Sequence, residues 1–164
     1  MYKRQCLTCP LQPDCHASAR GIASELPRKA PKPERPNRHA HAFVALREDG
    51  CVLMRRRPPA GLLGGMLEVP STDWLTAKTT LKKALRTVPV ASEWWAVPGV
   101  ITHTFTHFRL HLQVHLAIVP VESSLHLWAE PDRCSWISRH KLEDAAVPSV
   151  MRKILLHALK NQEA

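Results

Sequence analysis

The chain has no apolar run near the ~18–20 residues that a membrane-spanning helix needs. Its first residues, Met1-Tyr2-Lys3-Arg4-Gln5, lead into cysteines and not into an apolar stretch. No membrane partner and no secretory signal are expected, and the chain reads as cytoplasmic. It has no internal repeat. Acids are in the minority, 14 against 23 Lys and Arg, for a formal net charge of +9. Hydrophobic residues are not scarce: they make up 45% of the chain, enough for a core and against global disorder. A length of 164 residues suits one domain of ordinary size plus an appendage.

The charge is uneven. Residues 1–38 hold eight Lys and Arg against Asp14, Glu25 and Glu34, a net +5, and residues 39–164 hold fifteen against eleven acids, a net +4. A basic segment of this kind favours a polyanion, because each phosphate neutralised releases counterions. It equally suits a solvated tail. The cysteines say more. Cys6, Cys9 and Cys15 fall within ten residues, whereas Cys51 and Cys134 stand apart and read as small buried hydrophobes. A tight cluster in a cytosolic chain points to metal or redox chemistry. A disulfide does not suit that compartment. A zinc site and an iron–sulfur cluster each need four ligands, and only three thiols are here; His16, next to Cys15, is poorly placed to be the fourth.

Three zones follow: the cysteine cluster over 1–20, a linker over 21–38, and a folded α+β domain over 39–164. In the linker Pro27, Pro31, Pro33 and Pro36 alternate with Arg28, Lys29, Lys32, Arg35 and Arg38. Proline at this density removes amide donors and forbids helix, so an extended, stiff connection is expected. In the third zone, 39–46 and 51–56 read as a hairpin turning at Glu48-Asp49-Gly50. A glycine-rich loop, Gly61-Leu62-Leu63-Gly64-Gly65, precedes a short apolar run ending at Pro70. Residues 76–86 are predicted helical, with Leu81 and Leu85 on one face. Residues 109–118 alternate strictly: Leu110, Leu112, Val114, Leu116 and Ile118 toward the core, Arg109, His111, Gln113 and His115 toward water. A short strand over 134–137 and a closing helix over 148–160 complete the reading, the helix carrying Met151, Ile154, Leu155, Ala158 and Leu159 as its apolar stripe. Of Trp94 and Trp95, one is expected in the core. Arg55, Arg56 and Arg57 alternate in direction along a strand, so they cannot grip one phosphate backbone together, and one or two solvated arginines are expected.

Two segments carry a resemblance. Cys6-Leu7-Thr8-Cys9-Pro10-Leu11-Gln12-Pro13-Asp14-Cys15 resembles the last three ligands of the C-x6-C-x2-C-x5-C iron–sulfur loop of adenine and endonuclease III-like DNA glycosylases. Counting back seven residues from Cys6 falls just before Met1, so the resemblance implies a fourth ligand upstream, a chain truncated at its N-terminus, and a 4Fe–4S cluster in the full-length parent. The longer match is Arg56-Arg57-Pro58-Pro59-Ala60-Gly61-Leu62-Leu63-Gly64-Gly65-Met66-Leu67-Glu68-Val69-Pro70, which resembles the opening of the C-terminal domain of MutY-type adenine glycosylases. His103-Thr104-Phe105-Thr106-His107-Phe108 resembles the segment with which that family recognises 8-oxoguanine opposite adenine.

The resemblance implies a Nudix-like fold, a mixed or antiparallel sheet with flanking helices. It also implies a role in base excision repair, with double-stranded DNA holding an 8-oxoguanine:adenine mispair as partner and Phe105, Thr106 and His107 as recognition residues. A hydroxyl both donates and accepts, so Thr106 could sense the altered edge of the purine, and an imidazole at His107 could do the same. Spacing alone leaves the three as ordinary strand residues. The family's catalytic Glu and Asp belong to a helical domain not found in these residues. No catalytic residue is assigned, and this part alone is expected to be inactive and monomeric. The rival reading is a Nudix-type nucleoside diphosphate hydrolase, which needs several Glu on one helix to hold divalent cations. Between Glu68 and Glu93 the only acid is Asp73, and the predicted helix carries Lys78, Lys82, Lys83 and Arg86, so no Mg²⁺ is expected. A stand-alone nucleic-acid-binding module is the third reading.

Overall fold

The computed structural model describes residues 6–28, 30 and 34–162. Chain contacts divide it into two units, Met1–Glu34 and Arg35–Ala164. Of the expected linker, Lys29, Pro31, Lys32 and Pro33 lie outside the described residues.

The first unit is a run of tight turns. A 3-10 turn spans Cys6–Thr8, helix α1 spans His16–Ala19, and a second 3-10 turn spans Ala23–Glu25. The Cys9 amide donates to Cys6 O (3.3 Å), Gln12 to Cys9 O (3.0 Å) and Cys15 to Gln12 O (3.2 Å), so the cysteines sit on consecutive turns.

The second unit is a mixed six-stranded sheet: β1 Asn37–Arg47, β2 Cys51–Arg56, β3 Leu67–Glu68, β4 Trp95–Thr104, β5 Arg109–Val119 and β6 Cys134–Ser138. The order is β3-β2-β1-β5-β4, with β6 on β2. β1 begins at Asn37, so the domain starts before the boundary expected at residue 39. The reason is pairing: Asn37 and Arg38 lie in register with Arg109 and Leu110 in the parallel β1–β5 ladder, which fixes them as strand.

β1 and β2 pair antiparallel beside their turn, Leu46 opposite Val52, and then part. β3 and the chain after it fill the opening. Glu68 pairs with Arg55 of β2, while Ser71 and Leu75 bridge to Ala42 and His39 of β1. The glycine loop feeds β3. A Cβ on Gly64 would meet Pro59 O at 2.2 Å, and Gly65 sits at φ +71°, so both positions demand glycine.

Period two places the core. Ala40, Ala42, Val44 and Leu46 of β1 and Leu110, Leu112, Val114 and Leu116 of β5 bury together under helix α3, Ser149–Lys160, through Met151, Ile154, Leu155 and Ala158. Fully burying each of the Val, Leu, Ile and Met side chains among them is worth about 1.5–3 kcal/mol. The opposite parity, Ala45, Ala117 and Val119 with Leu53 and Val90, packs a second cluster with Trp94 and Trp136. This second layer overturns part of the alternation. His115 is 1% exposed, not wet, whereas Ile118 is 44% exposed. Trp94, just before β4, packs into the second cluster, and Trp95 at the start of β4 is exposed. Cys51 and Cys134 are half-buried.

The helix predicted over 76–86 is shorter. Helix α2 spans Leu81–Ala84 and tightens into a 3-10 turn over Leu85–Thr87. Thr80 is extended (φ −70°, ψ 149°). Thr79 O is taken by His41, so the chain before Leu81 serves the sheet and not a helix. Leu81 and Leu85 are exposed; Ala84 is the buried residue of the turn.

Candidate functional site

The β4–β5 ladder ends at Thr104 opposite Arg109, and residues 105–108 turn the corner. The Phe105 amide donates to Phe108 O (2.8 Å), closing the turn. The two phenyl rings flank it with centroids 4.7 Å apart. Trp74 packs against both, at 5.6 Å from Phe105 and 6.1 Å from Phe108. His103 meets Phe105 edge-on at 4.6 Å. Burial, and then the charge of Lys153, lowers the His103 pKa, so its ring favours the neutral form. Aromatic contacts of this kind add about 0.5–1.5 kcal/mol each beyond burial. The turn therefore rests on a rigid platform.

Cations surround that platform. The Arg38 guanidinium lies 4.4 Å above the Phe108 ring and that of Arg57 lies 5.4 Å from Trp74. Arg35 donates from Nε to Thr106 O (3.1 Å), which holds the tip from the start of the domain. Thr106 and His107 are exposed at the tip, and Phe105 is half-buried beneath them. Among the described residues, neither the Thr106 hydroxyl nor the His107 ring has a hydrogen-bond partner, so both are free to meet a ligand. Beside the platform runs a cleft of about 420 Å³ lined by Arg38, Arg57, Trp74 and Asp73.

Arg56 is exposed, in keeping with the one or two solvated arginines expected, while Arg55 and Arg57 are half-buried. Arg55 and Arg57 flank Glu68, whose side chain is 3% exposed. Arg55 reaches it from two nitrogens, Nε at 2.9 Å and a terminal one at 2.8 Å, and Arg57 pairs with its other oxygen. Arg56 points away and donates to Gly65 O (2.8 Å). The alternation that separates Arg56 from its neighbours is the one read from the sequence; the carboxylate that collects the other two was not foreseen.

The three clustered cysteines are all free thiols, Cys9 exposed and Cys6 and Cys15 half-buried. Among the described residues, no three His, Cys, Asp or Glu side chains group so as to hold a metal ion. As placed, Cys6, Cys9 and Cys15 do not by themselves fit a metal centre. Nor is any helix among the described residues long and apolar enough to cross a membrane.

Comparison with known proteins places this geometry. Residues 41–157 match the family model of the NUDIX domain. The chain belongs to the NUDIX domain family. Within it, this NUDIX domain is similar to adenine DNA glycosylases: 30% identical to that of Homo sapiens over 142 residues, 78% of this chain and 25% of that protein. The Mus musculus adenine DNA glycosylase is 28% identical over 167 residues, 92% of this chain and 30% of that protein. The chain thus spans between 25% and 31% of the length of the adenine DNA glycosylases it matches. Among solved structures, the C-terminal domain of mouse MUTYH, crystallised with human PCNA, superposes with a TM-score of 0.59 at 21% identity, covering 77% of this chain and 90% of that one. The MutT protein of Methanosarcina mazei Go1 superposes at 0.58 and 17% identity, covering 81% of this chain and all of that one. At those identities the structures establish the fold alone.

The platform itself escaped the sequence reading. Trp74, Arg35 and Arg38 lie far along the chain from the hairpin tip. A lone tryptophan between Asp73 and Leu75, in an otherwise polar stretch, was the available signal.

Proposed function

We propose that this NUDIX domain reads 8-oxoguanine for an adenine DNA glycosylase acting in base excision repair. What supports the reading most is the pairing of a free hydroxyl and a free imidazole at Thr106 and His107, exposed on an aromatic platform. Oxidised guanine differs from guanine by a hydrogen on N7 and an oxygen on C8. A hydroxyl can accept from the first or donate to the second, and an imidazole does either according to its tautomer. Phe105 orients the tip and offers a ring edge to a base.

In the whole enzyme, adenine opposite the oxidised base would be flipped out and its N-glycosidic bond hydrolysed. The groups that do this in the family lie in a helical domain, so this chain alone is expected to release no adenine. Cys6, Cys9 and Cys15 have the spacing of three of the four thiolates of that family's 4Fe–4S cluster. The cluster is proposed for the parent enzyme only.

The test is duplex binding by fluorescence anisotropy. The chain is expected to favour a duplex with 8-oxoguanine opposite adenine over the same duplex with guanine, and Thr106→Ala with His107→Ala to erase the preference. Equal binding of both duplexes by the unaltered chain would overturn the assignment.

A further inference from the structure

Some cations of the domain are paired and others are not; a cluster of the unpaired ones sits around α2. Arg47, Arg55, Arg57 and Arg133 are each committed to a carboxylate. Lys78, Lys82, Lys83 and Arg86 are exposed, and among the described residues none forms an ion pair. All four sit within nine residues, Lys78 before α2, Lys82 and Lys83 on its single turn, and Arg86 on the 3-10 turn that follows. Lys83 and Arg86, three apart on continuous helical turns, share a face. They line a cleft of about 470 Å³ with Thr79 and Trp128.

This cleft adjoins the one beside the recognition platform. Arg55, Ser71, Thr72 and Asp73 line both. One groove therefore runs from Trp74, against Phe105, to Lys83 and Arg86. Its floor is fixed. Ser71 and Leu75 bridge to β1, and the His41 ring donates from Nε2 to Thr79 O (3.0 Å). Four unpaired cations on an anchored segment repel one another and the net positive charge of the chain. A polyanion relieves that repulsion and releases its own counterions.

We infer that Lys83 and Arg86, flanked by Lys78 and Lys82, grip the sugar–phosphate backbone of the same DNA whose damaged base lies at Thr106. The inference rests on the recognition reading for its occupant but on the groove for its residues. Backbone contacts position a duplex and carry no base preference. Asp73, where the two clefts meet, has no ion-pair partner among the described residues, and its carboxylate opposes a passing phosphate.

Binding of the chain to an 8-oxoguanine:adenine duplex and to its undamaged counterpart, titrated against salt, tests this. Lys83→Ala with Arg86→Ala is expected to weaken both duplexes alike, by about tenfold or more. It should also lower the slope of log affinity against log salt by about two, close to 0.9 for each phosphate contact. Asp73→Asn is expected to tighten both. Thr106→Ala with His107→Ala changes the ratio between duplexes and leaves the salt slope alone. An unchanged salt slope in the Lys83/Arg86 variant, with its unfolding midpoint intact, overturns the groove. An unchanged ratio in the Thr106/His107 variant overturns the recognition reading and leaves the groove standing. A chain that binds neither duplex overturns both.

Discussion

His41 and His115 share a single proton between facing nitrogens, Nδ1 of His41 lying 2.9 Å from Nε2 of His115. Because Thr79 O can only accept, the His41 Nε2 carries hydrogen; with both rings neutral, His41 Nδ1 is the acceptor and His115 Nε2 the donor. The rings stack at 5.1 Å, and Phe43 covers His115 at 5.4 Å.

Burial, and secondarily the neighbouring His41, pushes the His115 pKa down from 6.5 to about 4. The unfolded chain therefore takes up a proton between these values that the folded chain refuses. Stability from this group is whole above about pH 6.5, falls as pH drops toward about 4, and is level below that. The full loss is at most about 3.5 kcal/mol, at roughly 1.4 kcal/mol per pKa unit. Urea midpoints across this window should show the decline in the unaltered chain and a shallower one in His115→Gln. Equal slopes would show that His115 charges freely in the fold.

Glu68→Gln removes the charge that Arg55 and Arg57 share. The arginine side chains are 19% and 23% exposed, so water recovers part of their solvation. The expected cost is about 2–3 kcal/mol, below the 3–5 kcal/mol of a fully buried broken pair. Urea unfolding measures it. A loss under about 0.5 kcal/mol would mean that the cluster behaves as a surface pair.

Thr106→Val keeps the shape of the tip and removes its hydroxyl. The preference for the oxidised duplex should fall by about tenfold, the worth of one well-placed hydrogen bond, while Thr106→Ser retains it. Stability should move by less than about 0.5 kcal/mol, since the site is exposed. Anisotropy and thermal melting of the same samples separate the two effects.

The chain with Mg²⁺ and a nucleoside triphosphate is expected to release no phosphate or pyrophosphate. In the stretch where the hydrolases of this fold need several glutamates, this domain has Asp73 and four cations. Release abolished by Asp73→Asn would reverse that expectation.

The sequence was most legible where one periodicity ruled. The hairpin at residues 48–50, the long strand to Val119 and the closing helix are each set by local pattern and turn chemistry, and the structure has all three. Legibility failed where a second element decided. The wet face assigned to His115 is dry because Phe43 and His41 of β1, distant in sequence, cover it. The helix begun at residue 76 does not form there because Thr79 O is committed to His41. Resemblance marked Thr106 and His107, but only the fold brings Trp74 and Arg35 beneath them.

Eleven consecutive residues of β1 lie in register with eleven of β5, each 72 positions further on. Parallel partners that far apart require a large loop to close before any rung of the ladder forms. During synthesis the first strand must therefore wait, unpaired on that edge, until the ribosome has made residue 119 and its helix cover beyond. For that interval its run of Phe43, Val44, Ala45 and Leu46 is open to other chains. The span between the partners thus sets a period of vulnerability at birth that no property of the finished domain records.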